Sequence, residues 1–105
     1  MAGDGLLNAM TGKHMEVKVE LPLRLARIVG TKSLKVKVKD EASVKDVLSS
    51  ALNNEEAYRM VVNGEAVAPG MIILLNEKDV RVLKGLDTKV SEGDVVTVLS
   101  VTHGG

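Results

Sequence analysis

The chain has no cysteine, which removes disulfides, a thiol nucleophile and thiolate metal sites together and fits a reducing compartment. Aromatic residues are almost as scarce, with Tyr58 the only one. Without stacking platforms, single-stranded nucleic acid has little to lie against. Fourteen basic and fourteen acidic residues leave a formal net charge of zero, so neither nucleic acid nor an anionic membrane is expected as the main partner. No apolar run approaches the length of a membrane span, and the first residues lack the basic-then-apolar order of a signal peptide, so the expected location is the cytoplasm. A phosphate-cradling G-x-x-x-x-G-K-[ST] loop is also missing, so no nucleotide site is expected in this chain. His14 and His103 are far apart and neither has a spaced carboxylate partner, so no metal site is expected either.

What is present is a 105-residue chain, 45% apolar, enough for one domain with a modest core. Residues 1–14 (MAGDGLLNAMTGKH) show no periodicity and read as a flexible N-terminal extension. Met15 is itself a possible start, so the extension is either a leader or a native segment, and it is expected to be dispensable.

From Met15 the pattern alternates. Met15, Val17, Val19 and Leu21 take one side, with Glu16, Lys18 and Glu20 on the other, until Pro22. After Gly30-Thr31-Lys32-Ser33, a second alternation sets Leu34, Val36 and Val38 against Lys35, Lys37 and Lys39. The two strands should pair antiparallel, placing the lysines near Glu16 and Glu20 on the solvent side. The lysine row admits two readings, a solvated face or a dock for an acidic partner.

Ser43 with Asp46 three residues on forms a capping box. Val44, Val47, Leu48, Ala51 and Leu52 then mark one apolar helical stripe, ended by Asn53-Asn54. Residues 55–60 suggest a further short turn of helix, and Asn63-Gly64 a tight turn. Met71 to Leu75 is apolar throughout, with Ile72 and Leu74 on one side and Met71, Ile73 and Leu75 on the other. One helix covers one face of a sheet, so apolar residues should stand on the open face unless residues 55–70 fold over them.

A short strand over 79–83, tight turns at Gly85-Leu86-Asp87-Thr88 and Ser91-Glu92-Gly93-Asp94, and a last strand over 95–101 complete the pattern. Val96 and Val98 should face the core, with Leu99 and Val101 on the surface. Asp87, Glu92 and Asp94 read as turn residues beside glycines, not as a catalytic carboxylate set. The strand runs into Thr102, His103, Gly104 and Gly105, and two residues without a Cβ could enter a narrow slot.

Strand, strand, helix and further strands make an α+β chain, and parallel first and last strands in the centre would make it a β-grasp with one main helix on one face. The expected parts are an extension over 1–14, a domain over 15–101 and a flexible tail over 102–105.

The order Ile73-Leu74-Leu75-Asn76, Val80-Arg81-Val82-Leu83, Gly85-Leu86-Asp87-Thr88, Glu92-Gly93-Asp94-Val95-Val96 and Gly104-Gly105 resembles the ubiquitin-like sulfur-carrier family. Its nearest types are the small subunit of molybdopterin synthase and the small archaeal ubiquitin-like modifiers. The likeness takes in Leu25 to Gly30 and the helix from Ser43, and so spans residues 15–105.

The resemblance implies chemistry at Gly105. A separate E1-like enzyme, holding ATP and Mg²⁺, would adenylate the terminal carboxylate, with Gly104 completing the thin stem. Sulfur displacement of AMP then leaves a thiocarboxylate, for molybdopterin synthesis with the large subunit of that synthase or for tRNA thiolation. Alternatively a lysine of a target protein displaces AMP and forms an isopeptide. Leu99, Val101, Thr102 and His103 would dock the partner. His103, with an ordinary pKa near 6.5, either tunes the carboxylate or serves as a spacer. Family members often carry an aromatic and then proline where this chain has Leu99 and Ser100, and the aromatic usual near Leu25 is absent. The competing function is a β-grasp interaction module whose tail is incidental.

Overall fold

The computed structural model describes residues 14–101. Of the extension expected over 1–14, residues 1–13 lie outside the described residues, as does the tail from Thr102, while His14 already begins the first strand because it pairs with Lys39. β1 runs His14–Glu20 with Met15, Val17 and Val19 buried and the residues between them on the other face. β2, Ser33–Lys39, pairs with it antiparallel, His14 facing Lys39 and Glu20 facing Ser33. β7, Val95–Ser100, lies parallel to β1, with Val19 beside Val96. β5, Met71–Leu75, pairs antiparallel with β7, and β6, Lys78–Asp79, closes the sheet in the order β2-β1-β7-β5-β6. First and last strands are thus adjacent, parallel and internal, which makes the domain an α+β β-grasp.

Between β1 and β2 a helix forms that period-two reading passed over: α1, Leu23–Val29. Pro22 stands at its N-cap, and Gly30 ends it at φ 103, donating its N–H to the Ala26 carbonyl. Glycine takes that left-handed conformation without steric cost. Leu25 and Ala26 point into the core.

α2, Val44–Ala51, carries the expected capping box: Ser43 Oγ accepts the Asp46 N–H, and the Asp46 carboxylate accepts the Ser43 N–H at 2.9 Å. Val44, Val47, Leu48 and Ala51 are buried, as the stripe required. The helix ends with Leu52 as its cap, before the asparagines, and Asn54 instead caps α3, Glu55–Val61, by accepting the Ala57 N–H. Asn63-Gly64 turns the hairpin of β3, Val62–Asn63, and β4, Ala66–Val67.

Ala57, Val61 and Val62 belong to the same buried cluster as Ile73, Val96 and Val98. Residues 55–67 therefore thicken the helix side of the sheet and leave the other face uncovered. Full burial of Leu25, Leu48, Leu52 and Ile73 gives this side most of its stabilisation, roughly 1.5–3 kcal/mol for each such side chain.

Three further expectations are corrected. The strand expected over 79–83 is only Lys78–Asp79, followed by a 3₁₀ turn at Val80–Val82. Asp79 accepts the Arg81 N–H at 2.9 Å and so caps the turn, while Val80 is fully buried and Val82 is exposed, a division no straight strand would make. The tight turn at 85–88 is a second 3₁₀ turn, Gly85–Asp87, that buries Leu86. The lysines of β2 also form no ion pair across the strands among the described residues. Lys37 faces Glu16 in register, but Lys35 faces Lys18, and Glu20 closes instead on Lys18 of its own strand at 3.1 Å.

Candidate functional site

The candidate site is where the chain leaves β7. Pairing of Ile73 with Val98 and Leu75 with Val96 puts those four on the helix side. Strand alternation then sends Val95, Thr97 and Leu99 to the open face, beside Leu74 and Ile72 of β5. Leu99 lies opposite Ile72 and is 41% exposed; Val101 is 52% exposed. Ile72, Leu74, Val95 and Thr97 are half-buried, so the row is a shallow, mostly apolar surface that runs to the end of β7.

The end of β7 is held by a backbone contact. The Val101 N–H donates to the Gly70 carbonyl oxygen at 2.9 Å, and the Met71 N–H donates to the Ala68 carbonyl at 3.2 Å. Ala68-Pro69-Gly70 is therefore a turn that starts β5 and holds the end of β7 at once. Gly70 takes φ 85, a conformation that glycine accepts without strain. A Pro-Gly pair marks a break between elements in the sequence; the contact of Gly70 with Val101 is not legible there, because the two residues meet only when β5 and β7 pair.

On the β1 side the row meets charge. Glu20 lies beside Thr97 in register and accepts hydrogen bonds from Lys18 Nζ and, at 3.3 Å, from Ser33 Oγ. The Lys18 ammonium bonded to it holds the Glu20 carboxyl below its ordinary range. At the far end of β7, Asn76 Nδ2 donates to Asp94 at 2.9 Å and Asn76 Oδ1 accepts the Val95 N–H. Asp94 also accepts the Ser91 N–H, and Glu92 accepts the Glu16 N–H. Those carboxylates are turn and strand caps, as their neighbouring glycines suggested.

Of the expected site residues, Leu99 and Val101 stand exposed on one side of the sheet end. Thr102, His103, Gly104 and Gly105 lie outside the described residues. Among the described residues no cluster of three His, Asp or Glu side chains is placed to hold a metal ion, and no helix is long and apolar enough to cross a membrane.

A family model described as Urm1 (Ubiquitin related modifier) matches residues 5–105. Small archaeal modifier protein 3 of Haloferax volcanii is 36% identical over 93 residues, covering 87% of this chain and 100% of that protein. The solution structure of the Haloferax volcanii HVO 2177 protein superimposes with a TM-score of 0.74 at 30% identity, covering 88% of each chain. A chain of the Amycolatopsis orientalis BexX/CysO complex gives a TM-score of 0.73 at 27% identity, covering 85% of this chain and 99% of that one. With a family match over nearly all its length and the β-grasp it requires, the chain belongs to the Urm1, or ubiquitin related modifier, family, among the ubiquitin-like sulfur carriers and protein modifiers that its sequence resembles.

Proposed function

We propose that the chain acts through the Gly105 carboxylate, as the protein co-substrate of a separate E1-like enzyme that binds ATP and Mg²⁺. A carboxylate oxygen of Gly105 attacks the α-phosphorus, pyrophosphate leaves, and the tail becomes an acyl-adenylate. Hydrosulfide then adds to the Gly105 carbonyl carbon, expels AMP and loses its proton to solvent, leaving a thiocarboxylate. Alternatively a lysine amine of a target protein expels AMP and forms an isopeptide, losing its proton to solvent.

The observation that carries this reading is the setting of the tail. It leaves an internal strand, anchored at Val101 by Gly70, beside an exposed apolar row. Docking through Leu99, Val101, Thr102 and His103 would bring the partner's ATP site to the tail, and Gly104 and Gly105 keep the stem thin enough to enter it. Charge development is left to the partner, since the row is apolar. The molybdopterin synthase large subunit is a candidate later partner, because the resemblance includes its small subunit. The cytoplasm, where ATP and thiols are abundant, is the expected setting.

The experiment is pyrophosphate exchange with the cognate activating enzyme, with intact mass of the protein from its own cells. Exchange that is lost on deleting Gly104-Gly105, and a terminal oxygen-to-sulfur exchange or an isopeptide remnant, support the carrier. A silent deletion leaves the interaction module as the better account.

A further inference from the structure

We propose that the free edge of β2 takes an extended acidic segment of another protein as an additional strand of the sheet. β2 ends the sheet order, so among the described residues one side of its backbone has no strand beside it. Which groups are free follows from the ladder. The Leu21 N–H donates to the Lys32 carbonyl at 2.8 Å, and bonded and non-bonded pairs alternate along an antiparallel ladder. Leu34, Val36 and Val38 therefore bond to β1, while the N–H and C=O groups of Ser33, Lys35, Lys37 and Lys39 point outward.

The ends of this edge are already closed. Thr31 Oγ1 accepts the Ser33 N–H and donates to the Ser33 carbonyl, and the Lys39 carbonyl accepts the Ala42 N–H at 3.0 Å. Between them the main-chain donors and acceptors of Lys35 and Lys37 have no partner among the described residues, a template of the length that a short added strand uses.

The side chains at the same positions select what is added. Lys35, Lys37 and Lys39 are exposed and form no ion pair among the described residues. Pairing of β2 with a second copy of itself would set lysine rows against each other, which like charge opposes. An incoming strand with carboxylates on the lysine side meets no such cost. Toward the helix, a groove of about 550 Å³ between β2 and α2 is lined by Lys37 and Lys39 together with Asp40, Glu41, Asp46 and Ser49. Charge in the groove is of both signs, so it favours neither sign in the residues that enter it, and the row of lysines on the open face makes the selection. The partner is therefore an extended peptide with acidic residues at alternate positions. RNA fits less well, because it would use the lysines but not the outward N–H and C=O groups, and this face has no aromatic residue to stack on. β1 separates β2 from β7 by about 10 Å, so such a strand leaves the tail free; the proposal does not rest on the tail chemistry.

The test titrates the full chain, by amide-resolved NMR, with a blocked nine-residue peptide alternating threonine and glutamate, and with its glutamine counterpart. Shift changes should centre on β2 and α2, with exchange of the Lys35 and Lys37 amides slowed at least tenfold. The glutamine peptide and the Lys35→Glu/Lys37→Glu chain should each bind at least tenfold more weakly. Lys37→Pro removes one outward donor and no ladder bond, so it should weaken binding several-fold while the spectrum stays folded; if it does not fold, the amide exchange decides the pairing in the unaltered chain. Deleting Gly104-Gly105 should leave the affinity unchanged. Equal binding of the glutamine peptide, shifts centred on Ile72 and Leu99, tighter binding of a twelve-nucleotide RNA at the same lysines, or no binding would each overturn the proposal.

Discussion

The Val101 N–H is bonded to the Gly70 carbonyl at 2.9 Å, one step beyond the last strand pair, Met71 with Ser100. This sets where the sheet stops holding the chain. Four residues follow Val101, a reach of about 14 Å when extended. On the function proposed above, a partner docked on the open face would have its reacting phosphate within that distance.

Breaking the anchor should change reach and leave the fold. Val101→Pro removes the N–H while Ser100 keeps the extended backbone that a residue before proline prefers. We expect a melting temperature within a few degrees of the parent and a several-fold higher KM for this chain in pyrophosphate exchange. An unchanged KM would show that the anchor does not aim the tail.

Neighbouring residues of β7 should separate stability from docking. Val98 is 1% exposed and packed in the core, so Val98→Ala should cost about 1–3 kcal/mol in urea unfolding. Leu99→Ala faces solvent and should stay within about 0.5 kcal/mol while weakening the activating enzyme's grip. The reverse pattern would mean that the apolar row is structural.

The tail should admit no added bulk. Gly104→Val puts a branched Cβ on the stem, and one residue appended after Gly105 moves the nucleophile away from a phosphorus it must approach to about 3–3.5 Å. Both variants should unfold at the parent's midpoint and lose pyrophosphate exchange. Exchange at the parent's rate in either would count against the carrier reading.

Asp79 predicts a pH effect. The Arg81 guanidinium, bonded to it at 2.7 Å and 3.1 Å, holds its carboxyl below the ordinary range, with the Arg81 N–H adding to this. A carboxylate with a folded pKa below its unfolded value stabilises above the unfolded value, about 4, and loses that contribution as pH falls through the folded one. Asp79→Asn should lower the urea midpoint slightly at pH 7, since the pair is exposed, and the difference should close below about pH 4. A difference that holds steady down to pH 2 would exclude this pair as its cause.

The sequence by itself determined what local rules can carry. Alternation set the faces of β1, β2 and β7, Ser43 and Asp46 set the start of α2, and Asn63-Gly64 set the hairpin between β3 and β4. The order of these elements and the motifs of the C-terminal half were enough to identify the family. α1 was legible too, from Pro22 before it and Gly30 after it, but Leu23 to Val29 is short and its apolar residues do not alternate. Tertiary structure decided the rest. Val80 turns away from a strand because its side chain fills the core while Asp79 caps the turn. Lys35 faces Lys18, not a glutamate, because the register follows the buried valines, whose burial outweighs an exposed ion pair. The apolar row and the anchor of the tail join Ile72 to Leu99 and Gly70 to Val101, residues far apart in sequence that meet only once the strand between β1 and β5 is in place.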